Sequence, residues 1–354
     1  MKEKIYQLFE KPGSEANAGS KAPYDVEIFA REIGFKTLSM FYWGAKRNIF
    51  RRITGQIFRF LEYSFLFFRI PARSILFLQF PYVRGGRIWR KLFLSNITKL
   101  KKVKIITLYH DINELRNADH SYQSDLLLYT MNLSAVVIIH NKRMKDYLLT
   151  KGIPPQKMIN LEVFDYSSTE PVPERNFKFE RSISIAGNLA SVKCGYLNDL
   201  CKIQNIHFHL YGTNFSIPET DFIKYHGVFS PEGLPKNLEK GFGLVWDGDS
   251  IDTCNGIFGN YLRFNNPHKF SLYIISGLPV VAWKESALAD FIQQNRVGIL
   301  VDNLQEAADR INSMGDDEYA HLKLNVIELS EKFRSGYYTK KALQAALNLI
   351  GDGE

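Results

Sequence analysis

The chain alternates, twice over, between short runs that are apolar on both faces and longer stretches of helical period. In the first half the runs are "KIYQLF" (4–9), "FKTLSMF" (35–41), "SILFLQF" (74–80), "VKIITLYH" (103–110) and "AVVIIH" (135–140), with helical patterns near 24–33, 46–69, 86–100, 122–133 and 141–150. In the second half they are "SISIAG" (182–187), "IHFHLYG" (206–212), "FGLVWDG" (242–248), "PVVAW" (279–283) and "GILV" (298–301), and helices near 304–313, 316–333 and 338–350 close the chain. A strand that is apolar on both faces must be covered on both, and helices interleaved with such strands make a parallel sheet. Between the halves "DYSSTEPVPERNFKFE" (165–180) is polar, carries two prolines and has no period, which reads as a linker. The expectation is an α/β chain of two doubly wound parallel-sheet domains facing a cleft. Its divisions are 1–165, a linker 166–180, 181–335, and a last helix over 336–354 that is able to pack back on the first domain.

At 354 residues, 45% apolar and 23% charged, both domains can bury ordinary cores. The net charge of +8 points to an anionic partner or to a merely basic surface. Cys194, Cys201 and Cys254 form no metal spacing; Cys194 and Cys201, two turns apart on one predicted helix, are too distant to bridge, so reduced, buried thiols are expected. "MKEKIYQLFEKPG" lacks a signal peptide's apolar core, and no stretch reaches the ~18–20 uncharged residues of a membrane span. A cytoplasmic protein is expected, at most peripheral at the inner face of the membrane. The helix over 46–60 sets Arg51, Arg52, Gln56, Arg59 and Glu62 against Ile49, Ile53, Ile57 and Phe60, a pattern open both to docking on anionic lipid and to a solvated face on a packed helix.

Ligands of doubly wound sheets sit beyond the carboxyl ends of the strands. After the first strand, Gly13, Ser14, Asn17, Gly19 and Ser20 form a polar loop before a helix starting near Pro23; small residues there let backbone N–H groups approach a phosphate, although neither a Walker loop nor GxGxxG is present. After the fourth strand, "YHDINELR" places His110 and Asp111 where a general base is wanted, with Glu114 in reserve; Asp111 is equally suited to cap a helix. The second domain opens on Gly187-Asn188-Leu189 and has Lys193 one turn into the next helix, while Tyr211 is either a base-stacking ring or a core tyrosine. Asp247 and Asp249, around Gly248, resemble a metal-binding D-x-D but lack further oxygen donors, so no metal is expected. In "GNYLRFNNPHKFSLYIISGLPVVAW" (259–283), Asn265 or Asn266 can cap a helix that Pro267 starts, and Lys269 then lies at the positive end of that helix. A cation there costs about 0.3–1 kcal/mol unless an anion intervenes, which argues for a bound diphosphate.

Taken in order, "AGSKAPYDVE", "HDINELR", "AGNL", "YHGVFSPEGLP", "FGLVWDG" and the 259–283 segment resemble the bacterial glycosyltransferases that include the β-1,6-galactofuranosyltransferases of polysaccharide synthesis and the glucosyltransferase of serine-rich adhesins. The resemblance runs from about residue 16 to 335 and is densest over 181–300. It implies a GT-B fold, a UDP-sugar donor held mainly by the second domain, a glycan or lipid-linked oligosaccharide acceptor held by the first, no cofactor or metal, and inversion at the anomeric carbon. It further implies phosphate and ribose contacts at Asn266, Lys269 and Ser20, with Asn17, Gly19, Asn188 and Gly248 nearby, uracil near Tyr211, and Tyr261 and Asn265 beside the donor sugar; Lys193 stands in for a basic contact where "ASVKCG" departs from the pattern. Galactofuranose is the favoured sugar, with UDP-glucose or UDP-N-acetylglucosamine as alternatives. A non-catalytic two-domain sugar- or nucleotide-binding protein is the rival of another class. A nucleic-acid partner is disfavoured because the basic residues are not striped with aromatics. A homo-oligomer is compatible with the sequence.

Overall fold

The computed structural model describes residues 4–10, 18–40, 49–81, 87–116, 121–172, 178–238 and 241–352, with side chains throughout except at 18–20, 49–53 and 121–124. These residues build two six-stranded sheets in which every pairing is parallel. Two such doubly wound sheets in one chain are what the GT-B resemblance implies. One compact unit takes the described residues of Met1–Glu15, Val26–Leu161 and Thr339–Glu354, and the other those of Ala16–Asp25 and Glu162–Tyr338.

The first sheet runs through β1 (Ile5–Glu10), α1 (Ala18–Glu32), β2 (Lys36–Met40), α2 (Ile49–Arg69), β3 (Ile75–Phe80), α3 (Arg87–Lys99), β4 (Lys104–Tyr109), α4 (Asn113–Arg116), α5 (Ser121–Leu133), β5 (Val136–Ile139), α6 (Lys142–Thr150) and β6 (Met158–Asn160). Its strand order is β2-β1-β3-β4-β5-β6, so the winding reverses between β1 and β3. α2 and α3 cover one face through Tyr63, Leu66, Ile70, Phe93 and Ile97, which pack on Leu8, Leu76 and Leu78.

The second sheet comprises β7 (Ser182–Asn188), α7 (Ser191–Cys194), β8 (His207–Thr213), β9 (Ile223–Tyr225), β10 (Phe242–Val245), α8 (Gly256–Tyr261), α9 (His268–Ile275), β11 (Val280–Trp283), α10 (Ala289–Asn295), β12 (Gly298–Val301), α11 (Leu304–Ser313) and α12 (Asp316–Arg334). The order β12-β11-β10-β7-β8-β9 reverses between β7 and β10. Alternation along each strand feeds two separate cores, because successive side chains point to opposite faces. Phe242, Leu244, Val281, Trp283, Ile299 and Val301 join Leu304, Ala308 and Ile311 of α11 on one side. Val245, Val280, Ala282 and Leu300 join Phe270, Ile274, Val326 and Phe333 of α9 and α12 on the other. The last helix, α13 (Tyr337–Gly351), places Lys340 2.6 Å from Glu32 and receives the Lys104 ammonium on Ile350 O at 3.3 Å.

Four expectations are corrected. α1 begins at Ala18 and not near Pro23, so Gly19 and Ser20 lie in a helical turn and not in a loop, and Pro23 falls inside the helix. The strands β6 and β9, three residues each, have too few positions to display a period. α7 stops at Cys194 and gives way to 3-10 turns, and Cys201 is exposed; Cys194 and Cys254 are the buried thiols, and all three are free. In the 46–60 pattern, whose side chains up to residue 53 lie outside the described residues, Arg59 is buried beside Glu62 at 2.7 Å, while Ile57 and Phe60 are exposed. No helix among the described residues is long and apolar enough to cross a membrane.

Candidate functional site

The reversal between β7 and β10 opens a crevice at the carboxyl ends of those strands, and it is there that the charges of the second unit meet. β10 continues into Trp246 and Asp247, and the Asp247 carboxylate is 2.8 Å from Lys269 Nζ and 3.9 Å from Lys193 Nζ. Lys269 also donates to Trp246 O at 2.9 Å and its side chain is 11% exposed, whereas that of Lys193 is 28% exposed. Burial pushes the Lys269 ammonium down, but Asp247 and, after it, Cys194 and Tyr273 outweigh that and hold it above the usual lysine range. Two cations therefore converge on one buried carboxylate.

This arrangement corrects the reading of the 259–283 segment. The anion that balances Lys269 at the start of α9 belongs to the protein: it is Asp247. Pro267, and neither asparagine, occupies the cap position of α9, and no side chain caps the helix. Phe270 N donates to Pro267 O at 3.0 Å, and no side chain caps the His268 and Lys269 N–H groups that precede it. Asn266 is buried and its amide donates to Glu162 O, which makes it a tether and not a group held out to a ribose or phosphate. Further stitches bind α9 to the same segment: Ser271 Oγ donates to Phe164 O at 2.6 Å, and His268 stacks on Tyr166 with centroids 4.9 Å apart. Lys21 lies 4.4 Å over the other partner of that stack, Tyr166, and donates to Ser167 O at 2.8 Å. α9 is thus anchored on a fixed frame.

Asn188 closes β7 and accepts from Ala190 N at 3.0 Å and from Asn214 Nδ2 at 2.8 Å, which shapes the turn into α7. Cys194, at the end of α7, bonds Asn188 O at 3.4 Å and approaches the Asp247 carboxylate at 4.0 Å. Gly248 serves the backbone: at φ +115° it donates to Lys193 O at 2.9 Å, and a Cβ there would lie 2.4 Å from Asn255 O. Its role is to let the α7 and β10 segments touch. Tyr261 is buried at the end of α8, and Asn265 Oδ1 is buried without a hydrogen-bond partner among the described residues. Tyr211 is a core tyrosine: it is 3% exposed, belongs to the apolar cluster with Val245 and Tyr273, and stacks on His226 at 4.7 Å, so its ring is not offered to a base. Asp249 is held apart from Asp247, its amide bonded to Asn255 Oδ1 at 2.8 Å, and the described residues contain no cluster of three or more His, Cys, Asp or Glu fit for a metal.

In the first unit, His110 and Asp111 follow β4 directly. His110 Nε2 is 2.7 Å from Gln79 Oε1, and Asp111, 30% exposed at its side chain, is 3.6 Å from Arg116. Glu114 receives the Tyr147 hydroxyl at 2.8 Å and lies 3.5 Å from Lys151, which assigns it to the α4–α6 packing more than to reserve base duty. Behind them His140, buried after β5, is 2.9 Å from Tyr109 O; burial pushes it down to about 4, so it stays neutral. Asn17 lies outside the described residues, as do the side chain of Ser20 and the loop that precedes it. Asp247 was visible in sequence only as half of a D-x-D; the signal for its pairing is a carboxylate directly after a switch-point strand with a lysine at the start of the second helix that follows, α9.

Known proteins match nearly all of this chain. Residues 5–163 match the family model "Glucosyltransferase 3-like, N-terminal domain", and residues 183–346 match "Glucosyltransferase 3-like, C-terminal domain". Beta-1,6-galactofuranosyltransferase WbbI of Escherichia coli (strain K12) is 33% identical over 348 residues, covering 97% of this chain and 98% of the relative. Glucosyltransferase 3 of Streptococcus gordonii is 24% identical over 335 residues, covering 91% and 92%. Among solved structures, Anabaena Alr3699/HepE in complex with UDP-glucose superposes with a TM-score of 0.59 at 13% identity, covering 97% of this chain and 99% of that one.

Proposed function

This chain belongs to the glucosyltransferase 3-like family of bacterial glycosyltransferases, and on that premise we propose that it moves galactofuranose from UDP-galactofuranose to a glycan acceptor in cell-surface polysaccharide synthesis. The observation that carries the reading is the convergence of Lys193 and Lys269 on Asp247 at the β7–β10 reversal. Asp247 keeps Lys269 charged and fixed, and the more exposed Lys193 is the cation that reaches a diphosphate. The uncapped N–H groups of α9 supply further donors to the same anion. Asn265 Oδ1, buried and without a partner among the described residues, is an acceptor for a hydroxyl of the donor sugar.

Transfer is a single inverting displacement. The acceptor oxygen forms a bond to C1 of the sugar as the bond from C1 to the β-phosphate oxygen breaks, and the acceptor's proton passes to Asp111. Negative charge grows on the leaving UDP, where a preorganised lysine and helix amides stabilise it more in the transition state than before it. With that positive charge in place the step needs no metal. The 33% identity to a galactofuranosyltransferase, against 24% to a glucosyltransferase, favours the furanose over glucose.

A panel of UDP-galactofuranose, UDP-galactose, UDP-glucose and UDP-N-acetylglucosamine tests the donor, and transfer from UDP-glucose alone would move the protein to the glucosyltransferase reading. Asp111→Asn is expected to abolish transfer while leaving UDP affinity unchanged; near-normal turnover would sink the base. Lys193→Ala is expected to weaken UDP binding about 10- to 100-fold by calorimetry, the worth of one charge-assisted hydrogen bond. Unchanged affinity would refute the diphosphate site.

A further inference from the structure

A helix over a sheet ordinarily turns its charged residues to water and its apolar ones inward. α2 departs from this. It packs inward through Arg59, Tyr63, Leu66 and Ile70, all buried, and presents Ile57, Leu61, Phe65 and Phe68 outward. At about 100° per residue those four fall within an arc of about 80° opposite the buried stripe. Phe68 is 81% exposed and Phe65 59%. α3 shares the same core cluster and adds Ile88, 70% exposed, and Leu92. Single exposed hydrophobics need no account, but six on the outward faces of two helices that share one core do.

The charge of the region says what covers it. Residues 41–104 hold fifteen Lys or Arg and one Asp or Glu, a net +14 in a chain whose total is +8, so the remaining residues sum to −6. α2 and α3 end at one edge, where Arg73 N donates to Lys101 O at 2.8 Å, and Arg69, Arg73, Lys99 and Lys102 are exposed there. The Arg69 guanidinium lies 5.5 Å from the centre of the Phe65 ring, so the basic rim touches the apolar band. A second copy of the chain meeting this face through its own would set like charge on like. An anionic lipid surface supplies both what the band needs, a boundary with hydrocarbon, and what the rim needs, phosphate groups.

We propose that the outward face of α2 and α3 is a membrane-docking surface, with Ile57, Leu61, Phe65, Phe68, Ile88 and Leu92 entering the headgroup–acyl boundary and the basic rim binding anionic phospholipid. The inference does not depend on the sugar transferred. The test is co-sedimentation of the full chain with vesicles of phosphatidylglycerol and phosphatidylcholine, against phosphatidylcholine alone. Wild type is expected to pellet with the anionic vesicles and to be released by salt. F65S/F68S is expected to lower the partition coefficient at least about tenfold. R69Q/K99Q is expected to lower it by about the same factor toward anionic vesicles only. Both variants alter exposed side chains, and retained thermal protection by UDP checks that they fold. Wild type left in the supernatant, or F65S/F68S binding as wild type does, would overturn the proposal. So would a wild-type dimer in light scattering that F65S/F68S converts to monomer, since the band would then be an interface between copies.

Discussion

Asp247→Asn isolates the ion pair on which the donor site is built. The substitution keeps the shape of the side chain and removes its charge, leaving the Lys269 ammonium, 11% exposed and 2.8 Å from its former partner, without a counter-ion. At an effective dielectric constant of about 20 the direct attraction at that distance is about 6 kcal/mol, and the cost of taking both ions out of water offsets part of it. Removing one member of a buried pair typically costs about 3–5 kcal/mol, because the surviving charge stays desolvated. For a unit of this size that corresponds to a fall of about 6–20 °C in Tm. Lys269→Met in the same background should return much of the loss, since no buried charge is then left alone, and the double-mutant cycle should show coupling of at least about 2 kcal/mol. The contribution of the pair holds through neutral pH: the raised Lys269 group keeps it below the ordinary lysine pKa, and it fades only as pH climbs through the elevated value. Chemical and thermal denaturation of the four proteins measures all of this. A cost below about 1 kcal/mol for Asp247→Asn, or additive single effects, would show that Lys269 reaches water in the folded protein and that the pair is not a preorganised anchor.

Two further outcomes follow from buried groups. His140 is held neutral by burial down to about 4, against about 6.5 in an unfolded chain, so its contribution is complete above about 6.5 and is lost as pH falls through about 4. The loss amounts to about 3 kcal/mol, and His140→Gln should flatten the stability profile between those limits; an unchanged slope would assign acid unfolding to other groups. Gly212 has φ +134°, and a Cβ there would lie 1.8 Å from Gly187 O, so Gly212→Ala should part the carboxyl ends of β7 and β8. Destabilisation above about 2 kcal/mol with loss of UDP binding is expected, and a wild-type melting curve would refute the close approach.

The two sheets were legible in the order of residues because burial on both faces leaves a mark that does not depend on partners. Runs such as "SISIAG" and "PVVAW" can exist only where helices cover both sides, and Gly277 with Pro279 punctuates the chain between α9 and β11 whatever surrounds it. The residues of the β7–β10 crevice were legible as types and positions: Asn188, Lys193 and Lys269 all stand just beyond strands or at helix starts. What they touch was not. Lys269 looked like a cation in want of a ligand because its counter-ion, Asp247, is 22 residues away in the chain and meets it only once α9 packs on β10. Tyr211 was left open between a base-stacking ring and a core tyrosine because its alternation along β8 says which face it points to, and not that His226 closes over it. α2 misled in the same way. Its sequence has an apolar stripe and a basic stripe, and only the tertiary structure decides that Arg59, paired with Glu62, goes inward while Ile57, Leu61 and Phe65 go out. Periodicity fixes which residues share a face; the sign of the rotation depends on ion pairs and packing partners that lie far away in the chain.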